Sequence, residues 1–218
     1  IEGRSDVALR IIYDGVKSDL SEHYLRTTQS DDLQIECVNF ESEARGFLHI
    51  LQRIIFEGSL IPQSAMMFEE DDYKDDDIIY FCEDDYLHKD GWVDILKEGF
   101  STGVEMVTLY DHYDKYAMPM YRDLQSQLVV TKSTHWRTTP STCHTFGVTL
   151  KCIKDHYSIW AKHSLTDGTS IDHEKFIELQ KSGARLISSV PGWATHLQPP
   201  WLSPLTDWEK ISREASPS

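Results

Sequence analysis

The sequence predicts an α/β fold: a mostly parallel central sheet flanked by helices. Two patterns carry this expectation. Short β-rich apolar runs are bounded by turn residues, and between them lies a segment whose apolar residues recur at helical spacing. The strongest run, Ile78 to Cys82, is unbroken, which suits a parallel strand covered on both faces. Composition agrees, since 40% hydrophobic and 26% charged residues in a chain of 218 provide ample core.

Taken in order, Ile1 to Arg4 reads as the remnant of a cleavable expression tag, so fold reasoning begins at Ser5. Ala8 to Tyr13 and Leu33 to Phe40 read as strands, the second alternating in polarity. Ala44, Phe47, Leu48, Leu51, Ile54 and Ile55 define an amphipathic helix from Glu43 to Phe56. An acidic loop, Asp72 to Asp77, precedes the strand at Ile78. Gly91 to Glu98 suits a helix stopped at Gly99, and Val104 to Tyr110 a further strand. Gln127 to Thr131 and Phe146 to Leu150 follow as strands, separated by a polar stretch. His173 to Lys181 is a helix closed by Gly183, and Ala184 to Val190 returns as a strand. Pro191 to Trp208, rich in Trp and Pro, reads as an ordered loop. The expectation is one domain over residues 5–208, with halves at about 5–100 and 101–208 and a tail at 209–218.

Net charge of −15 argues against a nucleic-acid partner, because that affinity comes from Lys and Arg neutralising phosphates. No apolar run approaches the roughly 20 residues that span a bilayer, and no signal-peptide pattern opens the chain, so a soluble cytoplasmic protein is expected. Cys37, Cys82, Cys143 and Cys152 lack any CxxC spacing and read as reduced core residues, at least three of them in strands.

One feature points to chemistry. Glu83-Asp84-Asp85 follows the most apolar strand at once, and in open α/β sheets ligands collect where strands end. Like charges this close repel unless a cation offsets them. A hard divalent ion with oxygen ligands, Mn²⁺ or Mg²⁺, fits, and would bridge this acidic chain to a diphosphate. The plain alternative is a solvated turn.

Strand, acidic triplet and following helix resemble the GT-A (Rossmann-like) fold of nucleotide-sugar-dependent glycosyltransferases, whose DxD motif ends a central strand. A second correspondence is Ile171-Asp172-His173-Glu174 opening a helix, then Gly183, a strand, Pro191 and His196. The resemblance implies Asp85 as metal ligand, His196 completing the metal shell, and Glu83 and Asp84 around the donor. It implies Asp172 as the base of an inverting enzyme, with Glu174 as substitute. Tyr13, Asp14 and Arg45 match positions that contact the nucleotide, making the first half the nucleotide-binding half. Thr138 to Phe146 matches the acceptor and donor-sugar loop, and Trp201 reads as a lid. Glu83 in place of the motif's first Asp, and Ile171 in place of an acid, are departures. The implied activity is metal-dependent transfer from a nucleotide-sugar donor, a UDP-sugar, to a hydroxyl acceptor.

Each residue also has a plain structural reading: Asp172 as a helix N-cap, His196 as a turn residue, Tyr13 as rim packing and Arg45 as a partner of Glu41. Two other functions stay open. A nucleotidyltransferase would share the acidic metal site, although Asp14-Gly15-Val16-Lys17 makes a poor phosphate loop. A carbohydrate- or partner-binding module would keep the fold without turnover.

Overall fold

The computed structural model describes residues 4–16, 34–56, 73–165 and 171–215. The tag-like residues before Arg4 and the start of the acidic loop lie outside them. Contacts divide the chain into two compact units, one from Ile1–Tyr73 with His156–Ile171, the other from Lys74–Asp155 with Asp172–Ser218.

In the first unit, β1 (Arg10–Asp14) and β2 (Gln34–Val38) form a parallel pair. Helix α1 (Glu43–Phe56) matches the expected span, and its periodic residues Ala44, Phe47, Leu51 and Ile54 are buried. Glu36 on β2 ties sheet to helix, accepting from Arg53 Nη1 and meeting His49 Nε2, both at 3.0 Å. Helix α5 (Tyr157–Lys162) packs on α1 through Trp160, whose ring lies 6.2 Å from that of Phe47.

The second unit is built on a six-stranded sheet of β3 (Ile78–Phe81), β5 (Met106–Thr108), β6 (Leu128–Val130), β7 (His135–Thr138), β8 (Phe146–Thr149) and β9 (Leu186–Val190), in the order β3-β8-β5-β9-β7-β6. It is mostly antiparallel, which corrects the expectation of a mostly parallel sheet: only β5 and β9 pair parallel. The reason is two reversed strands, β8 between β3 and β5 and β7 between β9 and β6. Direction still alternates less than the pairing suggests, because β3, β5 and β9 all point the same way and share one carboxyl edge. Nor is β3 an inner strand. It forms an edge of the sheet and is only partly buried, so its apolar run reports packing rather than parallel pairing.

Helices cover both faces. Helix α2 (Trp92–Phe100) lies on one, where Ile95 and Leu96 join Val107, Leu109, Trp136 and Ile187 in a common core. Gly99 was expected to stop this helix, yet the helix runs on to Phe100. A Cβ at Gly99 would stand 2.8 Å from Trp136 and 2.9 Å from Val107, so glycine serves the close approach of helix to sheet. On the other face, α6 (Asp172–Lys181) brings Phe176 edge-on to Phe146 at 5.1 Å. Short helices α3 (Asp114–Ala117) and α4 (Leu150–Asp155) and a 3₁₀ turn, Pro119–Tyr121, fill the connections.

A second sheet pairs β4 (Tyr86–His88) with β10 (Ala194–His196), so the expected loop after Pro191 holds a strand, and α7 (Trp208–Ala215) lies where a plain tail was expected. All four cysteines are free; only Cys37 sits in a strand, Cys82 being exposed, Cys143 in a loop and Cys152 on α4. No helix among the described residues is long and apolar enough to cross a membrane.

Candidate functional site

The shared carboxyl edge of β3, β5 and β9 gathers the chemistry of the second unit. Threonines lock it. The Thr108 hydroxyl donates to Thr145 O at 3.3 Å and takes the Thr142 hydroxyl at 3.0 Å, while Thr145 Oγ1 accepts the Glu83 N–H at 3.1 Å. Hydroxyls suit this place because side chain and backbone can satisfy one another where strand pairing ends.

From β3 the chain enters Glu83, half-buried, then Asp84 and Asp85, both exposed. Pairing of β4 with β10 sets His196 opposite Tyr86, and Leu197 N donates to Asp85 O at 2.8 Å. That register brings Asp85 Oδ2 to 2.6 Å from His196 Nε2, across a sequence separation of 111 residues. The Tyr86 ring stacks on His196 at 5.1 Å and 8°, fixing the imidazole plane. Burial, then the Cys143 and Glu83 neighbours, raise the Tyr86 hydroxyl's pKa, so it stays protonated.

Asp85 and His196 offer two ligand atoms that a divalent ion would use. A carboxylate oxygen and an imidazole nitrogen are ordinary ligands of Mn²⁺, and two ligand atoms at right angles around an ion at about 2.1 Å stand about 3 Å apart. The 2.6 Å contact is a few tenths of an ångström shorter than that spacing.

A cavity of about 300 Å³ in the same unit has Asp172, His173 and Glu174, from the start of α6, in its lining. Asp172 Oδ1 accepts from Lys175 Nζ at 2.8 Å and lies 3.0 Å from His144 Nε2, and Lys175 Nζ is itself 2.6 Å from that nitrogen. Lys175 is fully buried. Burial alone would raise the Asp172 pKa, but the His144 hydrogen bond and the Lys175 charge outweigh it and hold the carboxyl well below its usual range. Asp172 is therefore an ionised carboxylate with low proton affinity. Cys143, also in the lining, is pushed up to about 12 by burial and then by Asp172, Glu83 and Asp114. A thiol held protonated is no nucleophile at neutral pH.

The sequence-selected residues fall into both units. In the first, the Asp14 carboxylate accepts the backbone N–H groups of Phe40, Glu41 and Ser42 at 2.7, 3.2 and 3.2 Å, a structural clamp on the turn before α1. Tyr13 folds its ring over Gly15, where a Cβ would come within 2.8 Å. Arg45 lies in the first turn of α1, its N–H donating to the Ser42 hydroxyl at 3.3 Å. In the second, Asp85 meets His196, Asp172 and Glu174 share the cavity, and the Trp201 ring lies 5.6 Å from His112, another lining residue. Tyr110 donates to Trp201 O at 2.5 Å, pinning that loop. Sequence reasoning did not single out Lys175, His112 or Tyr121, and reached His144 only as a member of Thr138 to Phe146. Only Lys175 had a local signal, the i,i+3 spacing from Asp172 that helices use for ion pairs.

No family model, curated protein or solved structure matches the chain significantly.

Proposed function

We propose that the second unit carries the centre of a metal-dependent glycosyltransferase of GT-A type that transfers a sugar from a nucleotide-sugar donor, a UDP-sugar, to a hydroxyl acceptor. The observation that carries this reading is the 2.6 Å approach of Asp85 Oδ2 and His196 Nε2, two residues selected as ligands of one ion from distant parts of the sequence. Glu83, just beyond the end of β3, is the carboxylate assigned to the donor.

Bound between Asp85 and His196, Mn²⁺ or Mg²⁺ would offset charge developing on a departing diphosphate. The chain's own residues supply the rest. Asp172, ionised and oriented through Oδ1 by Lys175 and His144, is the hydrogen-bond acceptor for the incoming hydroxyl and takes its proton as the oxygen attacks the anomeric carbon, which inverts that centre. Its low proton affinity makes it a weak base, so its contribution belongs near the lower end of the usual range of about 10²- to 10⁴-fold. The same low affinity favours a second reading, a carbohydrate-binding module without turnover.

Thermal unfolding with UDP, in Mn²⁺ and in EDTA, tests the proposal. Ligand at 100 times its Kd adds about 2.7 kcal/mol, or roughly 5 to 10 °C for a chain of this size. The gain is expected in Mn²⁺ alone and should vanish in Asp85→Ala and His196→Ala. An equal shift in EDTA, or one that survives both substitutions, overturns the metal site. With the site in hand, hydrolysis or transfer of UDP-sugars separates an enzyme from a binding module.

A further inference from the structure

The cavity beside Asp172 has a charge balance that specifies its ligand. Its volume, about 300 Å³, lies at the small end of ligand pockets and suits one small ring rather than a nucleotide. Each lining cation already faces a carboxylate. Lys115 Nζ holds both Asp114 oxygens at 2.8 Å and sits 4.4 Å from the centre of the Tyr121 ring. His112 Nδ1 lies 3.0 Å from Asp114 Oδ1. Behind the wall, Lys175 is taken up by Asp172 and His144. No arginine lines the cavity, and Glu174, exposed on the rim, adds a negative charge. An anion entering would meet uncompensated repulsion.

Neutral hydrogen-bonding groups complete the lining. His173 uses Nδ1 on the hydroxyls of Tyr121, at 3.1 Å, and Ser141, at 3.3 Å, which leaves Nε2 without a partner among the described residues. The Thr142 hydroxyl and the Asp172 carboxylate add further polar groups, and Met120 gives the rim an apolar surface. A few convergent polar groups beside an apolar edge, with each cation already paired, is the lining that a hydroxylated ring needs.

We infer that this cavity receives an uncharged, polyhydroxylated ring, a neutral sugar residue, hydrogen-bonded by His173 and Asp172, and that it discriminates against phosphorylated or carboxylated sugars. As the acceptor class of the reaction proposed above, the inference rests on that reading. Its test needs neither nucleotide nor metal, however. Sugar binding in the absence of any UDP effect would leave the cavity's specificity standing while removing the transferase reading.

The experiment is ligand-observed saturation-transfer NMR on the whole chain in EDTA, with methyl glucoside, methyl glucosaminide, glucuronate and glucose 6-phosphate as probes. Methyl glucoside should bind at least about 10-fold more tightly than either anion, the size of effect expected from about 1.4 kcal/mol of unfavourable charge. His173→Gln should weaken it by a similar factor. Glu174→Lys, at an exposed position where folding is insensitive, should narrow the preference against the anions. Anions binding as well as the glucoside, no transfer to any of the four, or a ranking untouched by both substitutions would each overturn the inference.

Discussion

Replacing Asp172 with Asn tests the electrostatics of the cavity wall directly. The Lys175 side chain is 0% exposed, that of Asp172 25% and that of His144 5%. Removing one partner of a fully buried pair costs about 3 to 5 kcal/mol, chiefly because the other charge stays buried. Asp172 is a quarter exposed, so the lower end applies, and Asp172→Asn should cost about 3 kcal/mol. Lys175→Met leaves a carboxylate that retains His144 and some water, at a cost of about 1 kcal/mol, and the double variant should cost about 2 kcal/mol rather than the sum. Urea unfolding of all four proteins at pH 7, with m-values compared, yields a coupling of about 2 kcal/mol. The pH dependence gives a second readout. The folded pKa of Asp172 is depressed, so its stabilisation is complete above the unfolded value of about 4 and is lost as pH falls below that. Asp172→Asn should flatten this acid limb. Additivity within about 0.5 kcal/mol, or an acid limb identical in parent and variant, would refute the reasoning.

Two further outcomes follow from packing and titration. Gly99→Ala should destabilise by about 1 to 3 kcal/mol, because its Cβ meets Trp136 at 2.8 Å, whereas Gly46→Ala on α1, with nothing within 4 Å, should stabilise by about 0.5 to 1 kcal/mol; opposite shifts in urea midpoint are the check. His88, lowered to about 4 by burial, is neutral in the fold and bonded to the Tyr80 hydroxyl at 2.7 Å. Its stabilisation is full above the unfolded value of about 6.5 and falls as pH drops toward 4, by at most about 3 kcal/mol. His88→Gln should remove that slope between pH 6.5 and 4, as measured by melting temperature.

Much of the secondary structure was legible because its causes are local. Glu43–Phe56 declared itself through the spacing of Ala44, Phe47, Leu51 and Ile54, the residues the fold buries. Gly91 marked a helix start because its φ of 78° is one that L side chains rarely adopt. Strand direction was not legible. Phe146 to Thr149 reads as an apolar strand whichever way it runs, and only its long-range pairing with Ile78–Phe81 and Met106–Val107 decides that it lies antiparallel to both. Three-residue strands such as Tyr86–His88 and Ala194–His196 were equally silent, being too short for a period to register.

That silence bears on the site. Asp85 and His196 were singled out by what each follows in sequence, but their meeting depends on β4 pairing with β10 in a register that sets His196 opposite Tyr86. In an antiparallel pair a slip of one residue turns every side chain to the other face, so the 2.6 Å contact depends on that register. Local backbone bonds support that register from both sides: Leu197 N donates to Asp85 O at 2.8 Å and Lys89 N to Trp193 O at 3.0 Å. The Lys89 side chain adds to it, donating to Gly192 O at 2.7 Å and to Thr206 Oγ1 at 3.0 Å while lying over the rings of Trp193 and Trp208. The aromatic residues of the Pro-rich segment therefore anchor the strand that presents His196. This is why an acidic triplet at a strand end and a histidine far along the chain act as one feature: the hydrogen bonds and ring contacts between them fix the geometry that neither sequence motif contains.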